Sequence, residues 1–135
     1  MKLTISTALA TLVLSATLVA STKPDDRWVK VEGGSWVPTN ETIAKIKEHI
    51  EPFVRAQAKL EDRALREWRS YTFQYQGQEE RGRKFVLVNS FCVNDSRWQL
   101  NKQMVLIMDG GTCFFNVKFD PKKNQFFELF INGEA

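Results

Sequence analysis

The apolar period of this chain changes once, near Trp68, from helical to alternating, and few folds accommodate that order. Upstream of the change, apolar residues recur at Ile43, Ile46, Ile50 and Phe53, then at Leu60, Ala64 and Trp68. That spacing lays one apolar stripe along a helix. Lys45, Lys47, Glu48, Arg55, Lys59, Glu61, Asp62 and Arg66 fill the other positions, as on a solvated helix face. Thr39 or Asn40 supplies the cap that starts it. Pro52 interrupts the stripe and disfavours helical geometry at Glu51, so a kinked helix or two helices meeting near Pro52 is expected.

Downstream, "YTFQYQGQEE" places Thr72, Gln74, Gln76 and Gln78 on one strand face, with Tyr71, Phe73 and Tyr75 on the other. "KFVLVNSFC" is apolar on both faces, as in an interior strand, and "QMVLIMDGG" is as apolar again. "TCFFNVKFD" and "QFFELFINGE" form a closing hairpin around "PKKN". Ahead of the helix, Trp28, Val29 and Val31 make a short strand candidate, stopped by Gly33, Gly34 and Pro38. The order predicts an α+β domain: one Pro-kinked helix packed on a curved antiparallel sheet of four to five strands. The count turns on "DGG". Asp109-Gly110 suits a two-residue hairpin, whereas a glycine bulge would bend one long strand over residues 103–119.

Register sharpens the closing hairpin. Pairing Phe119 with Phe127 sets Val117 against Leu129 and Phe115 against Ile131 on the core face. The same register sets Lys118 against Glu128, a favourable cross-strand pair. It leaves Phe114, Phe126 and Phe130 on the face away from the core.

The N-terminus stands apart from the folding pattern. Lys2 precedes the uncharged run "LTISTALATLVLSATLVA", which reads as a secretory signal peptide over residues 1–21, cut after Ser21 or after Ala20. The run barely reaches spanning length and is rich in Ser and Thr, so no stable membrane anchor is expected after cleavage. Residues 22–135 then form a single domain, periplasmic or secreted. A hydrophobic fraction of 43% over the whole chain, raised somewhat by the apolar N-terminus, points to a folded and not a disordered domain. A net charge of +3 is too small to point to nucleic acid.

Export also bears on the two cysteines, Cys92 and Cys113, for which one disulfide is the expected state. They meet most simply if the strand ending at Cys92 lies beside the strand starting at Cys113, which would make residues 93–111 an excursion off the sheet. A zinc site would need ligands beyond the single histidine, His49, and neither cysteine sits in a CxxC pair. No metal and no cofactor is called for.

This layout resembles the cystatin-like fold, in which a curved antiparallel sheet grips one helix. Gly33-Gly34 ahead of the helix and "QYQG" at residues 74–77 are similar to the N-terminal glycine and the QxVxG loop of cystatin inhibitors. In that family these features and a Pro-Trp hairpin form a wedge for the cleft of papain-like proteases. Here "QYQG" is one residue short of the motif and Arg97 precedes Trp98. "FQYQGQ", "NSFC", "DGGTCFF" and "INGEA" also resemble a pattern in uncharacterised small secreted proteins of Gram-negative bacteria, which implies a periplasmic location.

The acids Asp25, Asp26, Glu61, Asp62, Glu79, Glu80 and Asp109 fall in turns or on the solvated helix face, with no nucleophile or base to match them. No catalytic residue is therefore assigned, and a binding role is expected. Its candidate surface is the glutamine stripe Gln74, Gln76 and Gln78, the off-core Phe114, Phe126 and Phe130, and the loop tryptophans Trp36 and Trp98. The partner would be an envelope protein or a second copy of the chain, unless the segment around Trp28 covers those phenylalanines. A cystatin-type protease inhibitor is the alternative that the resemblance implies.

Overall fold

The computed structural model describes residues 15–17 and 25–134, so nearly all of the expected signal segment, residues 1–21, lies outside the described residues. Helix α1 spans Asn40–Leu60. Thr39 caps it, its side chain accepting from the Thr42 amide at 3.1 Å. Glu41 in the first turn and Lys59 in the last complement the helix dipole. Ile43, Ile46, Ile50, Val54 and Ala58 are the buried stripe. Each of the larger ones contributes roughly 1.5–3 kcal/mol over an exposed position.

The helix runs unbroken through Pro52, which is exposed, so the Glu48 carbonyl that loses its N–H partner is on the solvent side. It ends earlier than its apolar period implied. Asp62 adopts φ +53°, Asp62 N–H donates to Lys59 O at 3.1 Å, and Arg63 N–H donates to Ala58 O at 2.8 Å. These bonds form a Schellman stop with aspartate where glycine is usual. Leu60 is therefore exposed, and Ala64 and Trp68 are not helical neighbours of the stripe. Trp68 instead begins a 3-10 turn and packs on Phe73 and Phe115.

Five strands form one open sheet in chain order: β1 Trp28–Lys30, β2 Thr72–Glu80, β3 Arg83–Phe91, β4 Phe114–Asp120 and β5 Gln125–Ile131. The sheet is mixed, where an antiparallel one was expected. β1 runs parallel to β2 because α1 crosses over between them, and the other three pairings are antiparallel. Tyr71, Phe73, Val86, Val88, Phe115, Val117 and Phe119 face α1 and complete the core. The domain is thus α+β, one helix on one sheet face.

"QMVLIMDGG" is neither a hairpin strand nor part of a bulged one. Cys92 and Cys113 are disulfide-bonded with Cα atoms 5.0 Å apart, and Cys92 N–H donates to Cys113 O at 3.0 Å. β3 and β4 are direct neighbours, and the residues between the cysteines leave the sheet. The excursion folds back over the face opposite the helix.

The closing hairpin keeps half of its expected register. Phe115 pairs with Ile131 and Asn116 with Phe130, but Phe119 meets Phe126 and Lys118 meets Phe127. The turn Pro121, Lys122, Lys123, Asn124 sets Asp120 opposite Gln125, one residue away from the expected pairing. A bulge absorbs the difference, with Glu128 at φ +49°. Two aromatic residues thereby exchange faces. Phe126 turns to the helix, 5.0 Å from both the Phe53 and Phe119 rings. Phe127 turns outward onto Phe85, under the Arg83 guanidinium at 3.8 Å. The Lys118–Glu128 pair survives the shift, its ammonium 2.5 Å from the carboxylate.

Candidate functional site

The outer face of the sheet carries most of the expected partner residues, and the excursion decides which remain open. Gln74 points outward as its alternation required, yet it is 0% exposed. Its amide donates to Leu100 O and Gln103 O, both at 2.7 Å, and its carbonyl oxygen accepts from the Val105 amide at 2.8 Å. Asn89, the residue paired with Gln74 across β3, donates to Gln74 Oε1 at 3.1 Å and to Val105 O at 2.7 Å. The pair thus acts as a pin that supplies backbone partners to an irregular segment. Gln74 leaves the candidate surface for that reason.

The other glutamines serve the N-terminal segment. Gln76 donates to Glu32 O at 2.6 Å, and Gln78 donates to Gln76 Oε1 at 3.0 Å. Trp36 packs against the core and donates its indole N–H to Gln78 O at 2.8 Å. Trp98 lies edge-on to buried Phe91, with ring centroids 5.3 Å apart. These residues hold connections down.

The off-core phenylalanines divide three ways. Phe126 faces the helix, contrary to expectation, because of the bulge. Phe114 is half-buried under Gly110, whose φ of +91° leaves no room for a Cβ, which would fall 2.5 Å from the ring. Phe130 is 58% exposed. The N-terminal strand does not reach it, since Trp28 stacks on Phe73 at the other edge of the sheet.

Beside Phe130 the structure brings residues that alternation concealed. Asn132 continues the β4–β5 ladder, its N–H donating to Phe114 O at 2.9 Å, so its side chain shares the outer face with Phe130. From there its amide donates to Ile107 O at 2.6 Å and Asp109 O at 2.9 Å. This latch fixes the end of the excursion against the end of β5. Leu106, Ile107 and Met108 sit on the latched segment, and Leu106 and Met108 are 76% and 89% exposed. Composition reads their apolar run as a strand, whereas the disulfide reads it as an excursion off the sheet, and the structure has the excursion.

The Asn132 latch thus brings the segment bearing exposed Leu106 and Met108 to the end of β5 that bears Phe130, an apolar set on a backbone tied by the Gln74–Asn89 pin, the latch and the disulfide. This set carries no acid, base or nucleophile, so its chemistry is contact and dehydration. Among the described residues no group of three or more His, Cys, Asp or Glu side chains could hold a metal, and no helix is long and apolar enough to cross a membrane. No protein family, no curated protein and no solved structure matches the chain in sequence or fold comparisons.

Proposed function

We propose that this protein is an exported, non-catalytic binding protein of the cell envelope, docking a protein partner through Phe130, Leu106, Ile107 and Met108. The observation that carries the reading is the exposure of these large apolar side chains on a hydrogen-bonded segment, where burial against water would ordinarily claim them. A rigid apolar patch loses little conformational entropy on binding, which favours affinity. The disulfide fits an oxidising compartment, and the charged start and apolar run of residues 1–21 fit export to one.

The test is capture from a periplasmic extract with the wild-type protein and with Phe130→Asp and Met108→Asp variants, alongside light scattering of each. A captured protein that both variants lose, while their melting temperatures hold, is the expected result. A doubled mass that the variants return to monomer would name a second copy as the partner. Capture unchanged in both variants, or inhibition of papain at micromolar protein that both variants retain, would sink this assignment.

A further inference from the structure

At the opposite end of β5 from the apolar patch, the β2–β3 and β4–β5 turns lie side by side, because β3 and β4 are paired up to Val86 and Phe119. They enclose a recess of about 500 Å³ lined by Arg81, Arg83, Lys84, Lys122, Lys123 and one carboxylate, Asp120. We propose that this recess is a binding site for a phosphate-bearing anion.

Three observations support the proposal. First, the lone acid is spent on Arg83 and on the turn amides, which leaves it no reach to the other cations. Asp120 is 3% exposed, and its Oδ1 accepts from the amides of Lys122 at 2.9 Å and Lys123 at 3.0 Å. Its Oδ2 accepts from Arg83 Nε at 3.0 Å. Second, the nearby glutamates leave the rim cations alone. Glu80 approaches Lys118 at 3.5 Å, and Glu79, opposite Lys84 in the strand register, forms no ion pair among the described residues. Among the described residues no carboxylate ion-pairs with Arg81, Lys122 or Lys123. These three are exposed and share one rim.

Third, the scaffold is rigid. Arg81 and Gly82 take φ +52° and +78°, the two successive positive values of a tight hairpin turn. Asp120 clamps the second turn, and Asn124 closes it at φ +53°. Arg83 is held between the Asp120 carboxylate and the Phe127 ring, with its remaining guanidinium N–H groups unspent on Asp120. A phosphate brings two negative charges and several acceptor oxygens, which matches unpaired cations with spare donors. Such a ligand could be free in solution or could be a lipid headgroup.

Two probes separate those sources: inorganic pyrophosphate followed by amide NMR shifts, and vesicles of equal parts phosphatidylglycerol and phosphatidylcholine followed by co-sedimentation. Saturable shifts confined to the amides of Gly82, Lys122 and Lys123 support a soluble ligand. Co-sedimentation with the anionic vesicles, absent with phosphatidylcholine alone, supports a headgroup. Either form of binding is expected to weaken roughly fivefold for each cation removed in the series Arg81→Gln, Lys122→Gln, Lys123→Gln. It should also fade in about 1 M salt, where the screening length is roughly 3 Å. The substituted residues are exposed, so an unchanged melting temperature checks the fold. No binding to either probe overturns the proposal. So does equal binding by the triple variant, or reproduction of the shifts by chloride at matched ionic strength.

Discussion

Asp120 shows how a single charged group ties local turn chemistry to the stability of the whole domain. Burial pulls its carboxyl upward, but the Lys123 amide, the Arg83 guanidinium and the Lys122 amide outweigh burial and hold it below the ordinary aspartate value. A carboxyl whose folded value lies below its unfolded one stabilises the native state above the unfolded value, about 3.9, and loses that contribution as pH falls through the folded value. Asp120→Asn should therefore lower stability by about 2 kcal/mol at neutral pH, and the gap from wild type should narrow below about pH 4. Urea denaturation followed at both pH values checks the sign. Ser90 presents the opposite case. Its hydroxyl is fully buried with no hydrogen-bond partner. Removing a group already stripped of water and unpaired leaves nothing orphaned, so Ser90→Ala is expected to be neutral or stabilising by up to about 1 kcal/mol. A loss above about 1 kcal/mol in the same assay would show that the hydroxyl has a partner.

At the scale of elements, the excursion is the least regular part of the domain and the one most dependent on crosslinks. Closing the chain between residues separated by 21 positions should contribute ~3 kcal/mol through the entropy of the unfolded state. The double variant Cys92→Ser, Cys113→Ser should lose about that much, and hydrogen exchange should quicken first over residues 93–112. Loss spread evenly over β3 and β4 would place the bond's effect in the sheet and not in the excursion. The elements also show what could be read from residues alone. Helix position and the strands β2 to β5 follow from period, which burial enforces. The helix end did not, because aspartate stands at a left-handed stop where glycine would have announced it. The hairpin register was legible from Phe115 to Phe130 and then failed, since a turn's length and a bulge are set by backbone geometry and leave no mark on alternation. Of the proposed docking residues, Phe130 was visible as an apolar residue on a polar face. Residues 106–108 were not, because an apolar run looks the same in a strand and in a latched loop. Gln74 was misplaced because polarity suggests solvent, whereas this glutamine satisfies backbone groups under a cover.

On the scale of the whole molecule, both proposed sites lie on the sheet and its turns, and the helix packs its apolar stripe into the core. The apolar patch and the cationic recess lie at opposite ends of β5, so the proposed ligands would not compete for space. The sheet itself is open at β1 and β5, yet neither margin is a regular row of hydrogen-bonding groups. β1 has three residues, and beyond it the isolated Trp36–Gly77 bridge occupies β2, with Trp36 O so close that a Cβ on Gly77 would lie 2.2 Å away. β5 is broken by the left-handed Glu128, which carries a charge at the same point. A strand arriving at either margin would lose its register within a few residues. Both margins therefore disfavour edge-to-edge pairing, the route by which open sheets stack copies into fibres.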